Sequence, residues 1–151
     1  MPSARNPEST PSGWSPTRGR KLRALFVTVP YPKHLGMRLG RLAAGEAHIS
    51  LTGGGDLRQY QGITHGGALA SLADTAATLA AMTILPGGLD VVTVEFKVNF
   101  VRALTRGRAT AVGTVVHMGG RTTIAEVRVH GRAKTDLLAT GTFTMLNVPI
   151  P

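Results

Sequence analysis

Cysteine is absent from this 151-residue chain, so disulfides, a thiolate nucleophile and a cysteine-based zinc site are excluded. Aromatic residues make up only 5% of it, too few for the stacking platforms that hold single-stranded nucleic acid. Acidic residues are also scarce: 8 Asp and Glu stand against 17 Lys and Arg, a formal net charge of +9. No apolar run approaches the ~20 residues of a membrane span. Gly-x-Ser-x-Gly is missing, which argues against a serine hydrolase elbow, and Gly53-Gly54-Gly55 lacks the Gly-Lys-Ser/Thr of a phosphate loop. His34, His48, His117 and His130 show no ligand spacing, so neither a metal nor another cofactor is expected. The basic excess suits a phosphate-bearing small ligand as well as nucleic acid. Without a recognition helix or a stacking surface, no nucleic-acid partner is expected.

With 42% hydrophobic residues, the length fits one domain with a sizeable core. Met1 to Arg20 is Pro, Ser, Gly and Arg without apolar periodicity and reads as disordered. Residues 20–29 imitate a secretory signal, but the apolar run is short, late and ended by Pro30. The expectation is therefore a basic disordered tail over 1–29, a single domain over 30–151, and a cytoplasmic protein with no membrane partner.

The most informative segment runs from Gln61 to Asp74. From Gly66 towards Leu85 the chain consists of strong helix formers and small residues, with one carboxylate, Asp74, in the middle. A carboxylate so placed is costly unless paired or hydrogen-bonded, and such a break in a local rule points to a functional site. At about 100° per residue, Leu69, Leu72, Ala76 and Leu79 share a core stripe. Asp74 lies nearly opposite, among Ala70, Ser71, Ala77, Thr78 and Ala81. Both faces look covered, one by a sheet and one by a partner or ligand. His65 falls on the leucine side, so it and Asp74 would meet only from different subunits.

Around this helix the pattern is extended. Lys33 to Arg38 suggests a short helical turn, Arg41 to Leu51 one or two strands, and Thr52 to Asp56 a turn. Beyond Pro86-Gly87-Gly88 the period changes to 2. Val92, Val94, Phe96, Val98 and Phe100 alternate with polar residues and predict a strand with one apolar face. Strand-like runs follow at Thr110–His117, Thr122–His130 and Leu137–Met145, separated by glycine-containing turns that suggest hairpins. The reading is α+β, with the last four strands as a meander and the helix against one sheet face.

That order, with His65-Gly66-Gly67 opening the helix and Leu72-Ala73-Asp74 two turns in, resembles the hotdog-fold acyl-CoA thioesterases of the PaaI (phenylacetyl-CoA) type. Gly62, Val92-Thr93-Val94-Glu95-Phe96, Asn99-Phe100-Val101-Arg102 and Gly120-Arg121-Thr122 extend the resemblance over roughly Pro32 to Leu146. It implies a long central helix wrapped by an antiparallel sheet, a homodimer or homotetramer, acyl-CoA as substrate, and sites at a subunit interface. It further implies Asp74 as general base or nucleophile and the Gly66 amide as oxyanion hole. His65 and Gln59 would position substrate or water, Thr93 would help place the attacking water, and Gly67, Arg121 and Thr122 would contact substrate. The family usually carries Asn where Gln59 stands, and Arg-Pro where this chain has Arg102-Ala103. The alternative function is a hotdog protein that binds acyl-CoA without cleaving it, a role that does not need a carboxylate beside an anionic ligand.

Overall fold

The computed structural model describes residues 13–150. Two short helices, α1 (Pro16–Phe26) and α2 (Pro30–His34), precede strands β1 (Arg38–Ala43) and β2 (Glu46–Gly53) and a 3-10 turn at Gly55–Leu57. The long helix α3 (Gly66–Met82) follows, and then β3 (Leu89–Phe100), β4 (Gly107–Met118), β5 (Thr122–His130) and β6 (Leu137–Pro149). All six strands form one antiparallel sheet in the order β1-β2-β4-β5-β6-β3. The expected α+β arrangement of a long helix on an antiparallel sheet is therefore observed.

The leucine stripe of α3 is its core face. Leu69, Leu72, Ala76 and Leu79 are all buried, against inward residues of the sheet such as Ile49, Ala111, Val127 and Phe143. Contact is closest at β4, where a side chain on Gly113 would begin only 2.5 Å from the Ala76 carbonyl oxygen. Helix α3 stops at Met82 rather than Leu85, with Thr83 as its C-terminal cap. The buried Thr83 hydroxyl donates to the Ala80 carbonyl at 2.6 Å and accepts from the Gly45 amide at 2.8 Å.

Three expectations are corrected. First, β3 to β6 are not a meander. The tight turns bind β4, β5 and β6 as hairpins, and β2 occupies the other side of β4 in unbroken register from Glu46↔Thr114 to Gly53↔Gly107. Only the free side of β6 remains, and β3 pairs there along its whole length, becoming an edge strand.

Second, the five alternating apolar residues of β3 do not share one face. The register slips between Thr93↔Met145 and Glu95↔Thr144, leaving Val94 as the extra residue of a bulge. Cross-strand partners lie on the same side of a sheet. Phe96 opposite the buried Phe143, Val98 opposite Gly141 and Phe100 opposite the buried Ala139 are thus on the helix side. Thr93, opposite the buried Met145, joins them, while Val92 sits outside against Leu146.

Third, much of the expected 1–29 tail is structured, though residues 1–12 and 151 lie outside the described residues. Ser15 caps α1 by accepting from the Arg18 amide at 3.1 Å, and Pro16 begins the helix, a favourable combination. Leu22 and Phe26 enter the main core. Arg18 reaches from α1 to the Leu85 carbonyl, just past the end of α3, and ties the two helices together. The short helix expected at 33–38 is α2, three residues earlier, where Pro30 supplies the first helical position. Among the described residues, no helix is long and apolar enough to cross a membrane.

If α1 is part of the core, its buried face and the exposed residue that follows it will answer differently to truncation. Phe26→Ala is expected to cost about 3 kcal/mol and to lower the melting temperature by about 6–12 °C. Val27→Ala, at a side chain 70% exposed, should stay within about 0.5 kcal/mol. Equal, negligible effects in thermal denaturation would return this segment to the status of a tail.

Candidate active site

The N-terminus of α3 is built by a compact loop. The His65 amide donates to the Leu57 carbonyl at 2.7 Å, and the Thr64 amide donates to Leu104 at 2.8 Å. These bonds aim the chain into the helix at His65, which is its cap, with Nδ1 accepting from the Gly67 amide at 2.8 Å. The imidazole is thereby committed to holding the helix entry. The Gly66 amide, next along, has no hydrogen-bond partner among the described residues, as expected of a donor in the first turn. Such a donor carries the positive end of the helix dipole. A cavity of about 330 Å³ opens here, lined by Gln59, Gly66, Phe100, Arg102 and Leu104 among others. The Phe100 ring lies so near that a Cβ on Gly66 would begin 3.1 Å from it. Glycine keeps the backbone accessible at that point. The Gln59 side chain donates to Gln61 at 3.0 Å.

Two turns further along α3, the Asp74 carboxylate accepts from the Thr93 hydroxyl at 2.7 Å through Oδ1. The bulge at Val94 makes this contact feasible, since it brings Thr93 to the helix side of β3. No second hydrogen bond and no ion pair reaches the carboxylate among the described residues. Oδ2 is left free. Asp74 lines a separate, mostly apolar pocket of about 260 Å³, whose other walls include Leu25 and Phe26 of α1, Val29, Tyr31 of α2 and Met82 of α3.

The residues expected at the site thus fall into three groups. Asp74 and Thr93 are in direct contact. Gln59, His65, Gly66 and Gly67 cluster at the start of α3. Arg121 and Thr122 belong to neither pocket: they sit in the β4–β5 hairpin, where the Arg121 carbonyl accepts from the Asn147 amide at 2.9 Å. Gly66 and Asp74 are eight residues apart on one helix, about 12 Å along its axis, and face different pockets. One carbonyl group cannot touch both within a single chain. Leu25, Val29 and Tyr31 were not foreseen, because they lie in or beside the segment read as tail. Their signal was the spacing Leu22, Leu25, Phe26, Val29, which is i, i+3, i+4, i+7. Among the described residues, no group of three or more His, Cys, Asp or Glu side chains is placed to hold a metal ion.

Comparison with known proteins gives the same picture from another direction. Over 100 residues the chain is 31% identical to the proofreading thioesterase EntH of Cronobacter turicensis, covering 65% of this chain and 72% of that one. A thioesterase family protein from Silicibacter pomeroyi superposes with a TM-score of 0.81 at 28% identity, over 88% of this chain and 99% of that one. A mutant of the phenylacetic acid degradation protein PaaI from Thermus thermophilus gives 0.72 at 31% identity, over 80% and 100%. The profile of the thioesterase superfamily matches residues 61–137, from the loop before α3 to the start of β6, and the chain belongs to that superfamily, whose reaction is the hydrolysis of thioesters.

Proposed function

We propose that this protein hydrolyses acyl-CoA thioesters, with Asp74 as general base or nucleophile and the Gly66 amide of a second copy as oxyanion donor. The observation that carries this reading is the half-satisfied Asp74 carboxylate. One oxygen is fixed by Thr93 and the other is free at the end of an apolar pocket. That is the arrangement a base needs, oriented by one partner and open to water or substrate on the other side.

The chemistry requires little else. A free thiol has a pKa of ~8.5, so the thiolate leaves without a general acid. As a base, Asp74 takes a proton from water while the water oxygen bonds to the acyl carbon. The negative charge then developing on the carbonyl oxygen is held by a backbone N–H at a helix N-terminus. The C–S bond breaks, the thiolate departs, and the acid remains. As a nucleophile, the same carboxylate would form an anhydride that water then opens. Thr93 orients Asp74 in either route, and His65, by capping α3, holds the Gly66 amide in place. Gln59 stands beside that amide to position substrate or water. Gly67, Arg121 and Thr122 are assigned to the CoA portion, for which the net positive charge of the chain is favourable. An acyl-CoA substrate fits a cytoplasmic location.

The separation of about 12 Å between Gly66 and Asp74 along α3 is the reason to invoke a second copy. The free edge β3 supports it, since Val94, Phe96 and Phe100 are each about half exposed there. An unpaired apolar edge is a ready place for another strand. The names of EntH and of PaaI, a phenylacetic acid degradation protein, support thioester and aromatic acyl substrates respectively.

Asp74→Asn keeps the size of the side chain and removes its basicity. Thioester hydrolysis is expected to fall by about 10²–10⁴-fold, with acyl-CoA binding retained. Near wild-type turnover across a panel of acyl-CoAs would rule Asp74 out, and a wild type that binds the panel but cleaves none of it would make the protein a binder. Thr93→Val should cost about tenfold in kcat, the scale of one hydrogen bond to a charged group, with little change in KM. The protein should sediment as a dimer or larger at micromolar concentration, and a monomer that retains full activity would remove the shared site.

A further inference from the structure

We infer that the α1–α2 segment, residues 16–34, forms the wall of the acyl site and limits the size of the apolar acyl group that the pocket takes. This rests on the thioesterase reading above. The stretch matched by the superfamily ends at residue 61 on its N-terminal side, so none of α1 or α2 belongs to it. Nevertheless Leu25, Val29 and Tyr31 close the pocket that contains Asp74.

Their exposure is the reason to assign them a ligand. Leu22 and Phe26 on α1 are buried in the core, yet Leu25, on the same side of the helix, is 46% exposed, and Val29 and Tyr31 are 37% and 56% exposed. These side chains converge on one cavity, opposite Leu79 and Met82 of α3. A concave apolar site with a few polar groups is the usual form of a small-molecule pocket, and here the chief polar group is the carboxylate assigned to the reaction. An acyl chain whose carbonyl sits at Asp74 would run from there towards Met82, whose unbranched thioether adapts to the shape beside it. Tyr31 is held in position, its hydroxyl 2.9 Å from that of Ser71, one turn before Asp74 on α3. The wall is thus tied to the helix that carries the carboxylate. Arg18, bonded to the Leu85 carbonyl, ties it again at the far end.

Two substitutions at these partly exposed positions test the assignment in opposite directions. Val29→Trp fills the pocket, and the ratio of kcat/KM for decanoyl-CoA to that for acetyl-CoA should fall about tenfold. Leu25→Ala widens it, and the preference should move towards hexadecanoyl-CoA. The same ratios are read independently from the dissociation constants of S-ethyl-, S-decyl- and S-hexadecyl-CoA thioethers, which need no hydrolysis. Melting temperatures identify a variant that fails to fold, in which case the other one decides. Ratios that stay within about twofold of wild type in both turnover and binding would overturn the inference while leaving Asp74 catalysis intact. A length shift in thioether binding, in a protein that cleaves no thioester, would uphold the wall and overturn the catalytic reading instead.

Discussion

The closeness of α3 to the sheet governs the rest of the molecule. Gly113 on β4 lies beneath the Ala76 carbonyl with no room for a side chain, and Ala76, Ala77, Ala80 and Ala81 are fully buried around it. Small residues on both surfaces allow a helix to settle lower than leucine packing would, and a close-packed interior leaves little freedom to tilt it. At that height the Asp74 carboxylate comes within hydrogen-bonding distance of a hydroxyl on β3. A bulkier sheet would lift the helix and separate the two groups. The alanine richness that makes α3 look plain in sequence is therefore what brings its single acid to the strand.

The sequence disclosed this arrangement unevenly. The helix was legible because its residues are strong formers and its leucines recur at helical spacing. Asp74 was legible because it breaks that pattern. The paired strands β4, β5 and β6 were legible through glycine-bearing turns, which act locally. The position of β3 was not, because strand order depends on which hydrogen-bonding edges remain free after the hairpins form, a property of the whole sheet. The place of Thr93 among the candidate site residues followed from the resemblance alone, and its bond to Asp74 was not legible. On plain alternation Thr93 belongs to the polar face, and only the register slip turns it inward.

The missed N-terminal helix has a different cause. Pro, Ser, Gly and Arg dominate the first twenty residues, and that composition outweighs a short apolar pattern beginning at Leu22. Ser15-Pro16 was nonetheless a good helix start, and Leu22, Leu25, Phe26 and Val29 a good helix face. The stability of α1 comes from tertiary contact, through Phe26 in the core and Arg18 at the end of α3, as expected of a helix too short to hold alone. Local composition carries no record of such contacts.

The bulge at Val94 also has a consequence for how this site tolerates change in length. Side chains in a strand alternate, so the side on which Thr93 emerges relative to Phe96 is fixed by the odd or even count of residues between them together with the bulge, which takes one residue out of the count. Two residues lie between them in this chain, and both groups face the helix. Losing one of them would remove the bulge and, by plain alternation, still leave the hydroxyl and the edge aromatics on one side of the sheet. Keeping both without the bulge would put them on opposite sides. The geometry of the Asp74–Thr93 contact is thus written partly as parity. Val94 makes no ladder pair, so many residues would serve in its place as long as the strand bulges there.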